Sequence, residues 1–228
     1  MNRQKAFGQG NPELATYTEE LFRPVDAVLE RFCAKSQEAG LPQIQVGPMD
    51  GRHLEILSRL VRPSRAIEIG TLGGYSGLCI ARGMIPGGKL FTFEKSELHA
   101  KVARENFEYA KEQGQLPVDF EIFIGSAIEN LKKVEDQAPF DLVFIDADKQ
   151  GYPAYLEWAV QHLRIGGVVI GDNTFAWGEV HRTREKTGNE LATIGALHEF
   201  NRRLANHPQL SGTILPTAEG LTVGVKVR

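Results

Sequence analysis

Two hydrophobic rhythms divide the chain. Leu14, Tyr17, Leu21, Val25, Val28, Leu29 and Phe32 recur at helical intervals within 13–39, and Pro24 splits that region into two predicted helices. A third helix is predicted over 49–61, with His53, Leu54, Leu57 and Leu60 mostly inward. From Arg65 onward the rhythm changes to short apolar runs separated by helical stretches. The runs predict strands at 65–69, 89–93, 119–124, 140–145 and 167–171, with helices near 75–83, 96–113, 127–133 and 152–163. Ser96 can cap the 96–113 helix, and Gly114 can end it. Alternation of this kind implies an α/β fold, a mostly parallel sheet with helices on both faces and right-handed crossovers.

The C-terminal part breaks the alternation. A helix over about 189–206 precedes two further strands, 211–216 and 220–227, joined through Pro216-Thr217-Ala218-Glu219-Gly220. In the last strand Leu221, Val223, Val225 and Val227 alternate with Thr222, Gly224 and Lys226, so the pair reads as an antiparallel hairpin completing seven strands. No internal repeat, low-complexity tract or linker interrupts the chain, and one domain over 1–228 is expected, with 1–62 as a helical extension of a 63–228 core. Residues 1–12 are polar and contain Gly8, Gly10 and Pro12; they are either mobile or ordered over a site or partner.

Composition narrows the class. A length of 228 residues with 42% hydrophobic and 24% charged residues suits a soluble globular protein that buries its own core. A net charge of −3 gives no basic footprint for nucleic acid. Cys33 and Cys79 form no C-x-x-C pair, which points to a reduced, cytoplasmic setting. Met1 to Lys5 is not followed by an apolar stretch, so no secretory signal is evident, and no segment has the apolar length to span a bilayer.

Candidate chemistry lies at the ends of the predicted strands. Leu142-Val143-Phe144-Ile145 runs into Asp146-Ala147-Asp148-Lys149, and Val168-Val169-Ile170 runs into Gly171-Asp172-Asn173. A carboxylate ending a buried strand emerges at the sheet edge where open α/β folds bind ligands. Asp146, Asp172 and Asn173 offer only oxygens, the donor set for Mg²⁺, Mn²⁺ or Ca²⁺. Lys149, three residues after Asp146, is a candidate base. Alternatively, Asp172 and Asn173 only turn a loop, Asp146 only caps the helix near Tyr152, and Lys149 is a solvated helix-start lysine.

A second cluster points to a nucleoside. Gly70-Thr71-Leu72-Gly73-Gly74-Tyr75-Ser76 closes the first strand and opens a helix, and its glycines permit a tight turn against a ligand. Glu94 ends the second strand, 24 positions after Gly70, where an acidic residue clamps a ribose hydroxyl pair. Gly125-Ser126 ends the third strand, where Ser126 lines an adenine pocket, caps the next helix, or does both. Leu72 and Ser76 break the G-x-G-x-x-G dinucleotide pattern, which weighs against a nicotinamide oxidoreductase.

Together these segments resemble the cation-dependent, S-adenosylmethionine-dependent O-methyltransferases of the caffeoyl-CoA and catechol type, bacterial members above all. The resemblance runs from about Tyr17 to the C-terminus, and implies a Rossmann-like methyltransferase domain. Ile67-Glu68-Ile69-Gly70-Thr71 with Gly74-Tyr75-Ser76 is similar to the family's cofactor motif. Phe144 to Lys149 with Tyr152 is similar to its metal-and-base motif, and Gly171-Asp172-Asn173-Thr174 to its second metal motif.

The resemblance implies that Asp146, Asp172 and Asn173 hold the divalent cation and that Lys149 is the base. It implies Glu94 on the cofactor ribose, Ser76 on the methionine carboxylate, Ser126 on the adenine side and Asp146 near the amino group. Val46, within Val46 to Gly51, would offer backbone contacts at the methionine end, and Glu68 would lie beneath the cofactor. A vicinal-diol aromatic acceptor and a homodimer are implied as well.

Ala147-Asp148 stands where animal catechol enzymes of the family carry His-Trp, which favours the plant and bacterial branch. Many members carry Trp at the third position after the motif Asn, whereas here Trp177 is at the fourth. The 174–189 connection, with His181, Arg182, Arg184 and Lys186, either gates the acceptor or is a solvated loop. A binder that kept the fold without catalysis is the remaining alternative; it would not need the Asp146, Lys149, Asp172, Asn173 set.

Overall fold

The computed structural model describes residues 11–183 and 187–228. What was read into residues 1–10 and into Arg184 and Lys186 lies outside the described residues.

The helical extension comprises α1 (Pro12–Phe22), α2 (Ala27–Glu38) and α3 (Pro48–Val61). Asn11 and Asp26 cap the first two through their side chains, and Pro24 lies in the break between them. The core then alternates β1 (Arg65–Ile69), α4 (Tyr75–Gly83), β2 (Lys89–Glu94), α5 (Glu97–Glu112), β3 (Asp119–Ile124), α6 (Ala127–Asn130), β4 (Phe140–Ile145), α7 (Tyr152–His162) and β5 (Leu163–Gly171). It ends with α8 (Gly188–Asn206), β6 (Leu210–Leu215) and β7 (Leu221–Lys226). Among the described residues the strands form one seven-stranded sheet in the order β3-β2-β1-β4-β5-β7-β6. The first five are parallel, and β7 runs antiparallel to both β5 and β6, so the expected fold class stands.

Period-two alternation in the strands builds both layers. Ala66, Leu90, Leu142, Phe144 and Ile170 face the cluster formed with α2 to α5. Ile67, Ile69, Val143, Ile145 and Val169 face the cluster formed with α7 and α8. The sheet order reverses between β1 and β4, which places the ligand-binding crevice at their C-terminal ends.

Three local expectations are corrected. Leu60 is 77% exposed rather than inward, because α3 buries Gly51, Leu54, Glu55 and Ser58, and residue 60 falls on the opposite side of that stripe. The 127–133 helix is one α-turn followed by 3₁₀ turns over Leu131–Gln137, and Asn130 bonds back to the Ile124 carbonyl at 3.0 Å. β5 begins at Leu163, earlier than 167, because Leu163 already pairs with Phe140 before the register shifts at Leu142.

Candidate active site

The C-terminal edge is laced strand to strand. The Gly70 N–H donates to the Phe93 carbonyl, Gly125 to Glu94, Asp146 to Ile69 and Asp172 to Ile145, at 2.8 to 3.0 Å. Each residue that follows a strand is thereby tied to the neighbouring strand, so the predicted glycine turn and both acidic segments share one edge. Gly70 lies at the reversal with φ +98°, and a Cβ there would come within 1.9 Å of the Asp146 carbonyl oxygen. Only glycine lets β1 and β4 approach this closely.

Glu94 anchors the glycine turn. Its Oε2 accepts the N–H groups of Thr71 at 3.2 Å and Leu72 at 2.8 Å, and its Oε1 accepts the Ser96 N–H at 2.9 Å. Gly74 is buried at the start of α4 with φ +86°. Ser76 does not face an open crevice: its hydroxyl donates to Glu68 Oε1 at 2.6 Å. Glu68 is wholly buried, and its Oε2 accepts the Thr92 hydroxyl at 2.6 Å. Burial pushes Glu68 up to about 8; the two hydroxyls oppose this, while Asp146 and Glu94 add to it. A protonated Glu68 can itself donate to Ser76, freeing the serine O–H for another acceptor.

Val46 is buried in the cluster beneath α3 and α4. Ser126 is exposed after β3, and its side chain makes no capping bond, so it occupies the cap position without serving it.

The second cluster is tighter. Lys149 Nζ donates to Asp146 Oδ1 at 2.8 Å and to the Tyr152 hydroxyl oxygen at 2.9 Å. Tyr152 is fully buried, and its own O–H is directed at the carbonyls of Ile145 and Asp172, at 3.1 and 3.0 Å. Asp146 caps no helix, since Gly151 occupies the cap position of α7. Asp148 accepts the Tyr155 hydroxyl at 2.6 Å.

Asp172 is 3% exposed, and its Oδ1 is buried without a hydrogen-bond partner. Burial, and then the nearby Asp146 carboxylate, push Asp172 up to about 8, and Asp50 adds to the effect. Asn173 adopts a left-handed φ of 54°, a conformation asparagine tolerates, and its carbonyl accepts the Ala176 N–H at 2.9 Å. It therefore turns the loop as well as standing at the site.

Sequence reasoning missed two neighbours. Asp50, in the first turn of α3, is buried and close enough to act on Asp172. Glu219, 46 residues from Asn173, accepts the Asn173 side-chain amide. Neither has a local signature; only the packing of α3 and of the β6–β7 loop brings them here.

Beyond Asn173, the third position after the pair is Ala176, which is fully buried. Trp177 is 62% exposed with φ 54°. It borders a groove of about 410 Å³ with Ala176, Glu179, Asn189, Glu190, Thr193 and Ile194.

The donor chemistry suits a hard cation: two carboxylates and one amide oxygen, with one carboxylate oxygen buried and unmatched. No group of three or more His, Cys, Asp or Glu suited to a metal occurs among the described residues, so the amide is needed to complete a three-ligand set. Among the described residues no helix is long and apolar enough to cross a membrane.

Comparison with known proteins identifies the family. The O-methyltransferase family model matches residues 20–227. A catechol O-methyltransferase of Mycobacterium tuberculosis is 33% identical over 206 residues, covering 90% of this chain and 89% of its own. One from Niastella koreensis is 35% identical over 212 residues, covering 92% and 90%. The solved O-methyltransferase of Bacillus cereus, in complex with SAH, superposes with a TM-score of 0.81 at 36% identity, covering 92% and 96%. The chain belongs to the O-methyltransferase family, the S-adenosylmethionine-dependent enzymes that its motifs resemble.

Proposed function

We propose that this enzyme moves a methyl group from S-adenosylmethionine to one hydroxyl of a vicinal diol on an aromatic ring, of the catechol or caffeoyl type. In this reading Asp146, Asp172 and Asn173 hold a divalent cation, Mg²⁺ before Mn²⁺ or Ca²⁺, and Lys149 is the base. The observation that carries it is the meeting of these four residues at the end of β4 and β5, with the buried Asp172 Oδ1 left unmatched. The names of the mycobacterial and Niastella relatives support a catechol acceptor, and the SAH in the Bacillus relative supports the donor.

A cation bound there would give the two diol oxygens a common anchor and make one hydroxyl more acidic. The donor supplies its methyl on a sulfonium, so charge cancels as ether and thioether form. The chain's own part is mostly alignment. The Gly70 to Ser76 turn, with Glu94 on the ribose, Glu68 beneath the cofactor, Val46 at its methionine end and Ser126 on its adenine side, would hold the donor beside Asp146. Lys149, held between Asp146 and Tyr152, would take the acceptor's proton or pass it to water. The chain is read as one methyltransferase domain, cytoplasmic and homodimeric. Tyr17, Leu21 and Phe22 support the dimer: they are exposed on α1, a helix with no buried residue. No observation favours the nicotinamide oxidoreductase.

A methyl-transfer assay over a catechol panel, with EDTA and metal add-back, tests the proposal. Activity should vanish in EDTA, return with Mg²⁺ or Mn²⁺, and stay absent in Asp172→Ala despite a folded protein. Full activity of that variant in chelator would remove the cation from the reading.

A further inference from the structure

The loop between β6 and β7 reaches back over the turn that follows β5. The Gly220 carbonyl accepts the Thr174 N–H at 3.1 Å and the Thr174 hydroxyl at 2.9 Å, and the Glu219 carbonyl accepts the Phe175 N–H at 3.0 Å. The Thr222 hydroxyl bonds Thr174 Oγ1 at 2.8 Å and Asn201 Oδ1 at 2.7 Å, and the Asn201 amide returns to the Thr174 carbonyl at 2.8 Å. Gly220 has φ +80°, and a Cβ there would meet the Phe175 ring at 2.8 Å, so the two segments are in direct backbone contact. The loop is therefore held without help from the Glu219 side chain, which is left to bond the Asn173 amide.

That bond fixes which way the amide faces. An ionised carboxylate only accepts hydrogen bonds, so the Asn173 nitrogen must be the atom turned toward Glu219. Its Oδ1 then faces away from Glu219 and is free to act as an acceptor or an oxygen ligand. Without the carboxylate the amide could turn over and present its N–H₂ donors, which cannot bind a cation. From this geometry we infer that Glu219 is a positioning residue that orients the Asn173 side chain so that its oxygen joins Asp146 and Asp172 in binding the cation. The inference rests on the proposed cation site. Residues that orient a metal ligand by hydrogen bonding commonly change metal affinity about 10- to 100-fold when removed.

The test is Mn²⁺ binding to the full-length protein, read from the electron paramagnetic resonance signal of free Mn²⁺, with S-adenosylmethionine affinity measured by calorimetry. Glu219→Ala should weaken Mn²⁺ at least about tenfold and leave S-adenosylmethionine affinity within about twofold. Glu219→Gln keeps an acceptor oxygen and should stay within about threefold of the parent. In an Asn173→Ala background the further change Glu219→Ala should add less than about twofold, because the ligand it orients is gone. Unchanged Mn²⁺ affinity in Glu219→Ala overturns the inference, as does a Glu219→Gln protein as weak as Glu219→Ala. A full loss persisting in the Asn173→Ala background overturns it too, and makes Glu219 a ligand in its own right. If the unmutated protein binds no Mn²⁺, the cation reading itself has failed.

Discussion

Replacing Glu68 by Gln tests the electrostatics of the crevice floor directly. Glu68 is 0% exposed, accepts the Ser76 and Thr92 hydroxyls at 2.6 Å each, and is pushed by burial from 4.5 up to about 8. The folded protein therefore keeps a proton on Glu68 over a range where the unfolded chain has released it. The stability this confers is complete below about pH 4.5 and is lost as pH rises through about 8. Between pH 6 and 8 the loss approaches about 1.4 kcal/mol per pH unit, or roughly 2–3 kcal/mol in all. In a chain of this length that is roughly 5–10 °C in Tm. Gln is nearly isosteric and uncharged, and either hydroxyl can rotate to meet its amide. Glu68→Gln, which lacks this titration, should thus gain several degrees of Tm relative to the parent between pH 6 and pH 8. The assay is thermal unfolding of both proteins at matched pH values, free of cofactor and in EDTA, so that Asp172 titrates in both and cancels in the difference. A Tm difference that stays constant from pH 6 to 8 would show that Glu68 is not held protonated by burial.

Two further changes probe the base and the switch point. Lys149→Ala should lower kcat by about 10²- to 10⁴-fold and alter the pH–rate profile; an unchanged profile with unchanged kcat removes Lys149 as base. Gly70→Ala places a Cβ 1.9 Å from the Asp146 carbonyl oxygen at a φ of +98°, so β1 and β4 must separate there. It should cost more than about 4 kcal/mol, and a Tm within about 2 °C of the parent would contradict the close approach.

The centre of the sheet was legible because strands such as β2 and β4 are buried on both faces and read as apolar runs. Runs such as Leu142 to Ile145 mark their own ends, and so place Asp146 at the edge from sequence alone. Glu94 and Gly70 were legible for the same reason. Element boundaries suffered where register, rather than composition, decides: Leu163 joins β5 through its pairing with Phe140, and Leu60 misses the core by its angle around α3.

By itself the sequence determined the strand–helix alternation, the strand-end location of Asp146, Asp172, Asn173 and Glu94, and the left-handed turns that Gly70 and Gly74 permit. These follow from local periodicity and from the conformational freedom of single residues. Only the tertiary structure decided that Ser76 turns inward to Glu68, that Asp50 comes within Coulombic range of Asp172, that Trp177 is exposed while Ala176 is buried, and that Glu219 holds the Asn173 amide. The physical reason is the same in each case. A side chain's partner is chosen by which segments the sheet order and the hairpin bring within hydrogen-bond or Coulombic range. Those segments lie far apart along the chain, as Asn173 and Glu219 do at 46 residues, where no local pattern records them.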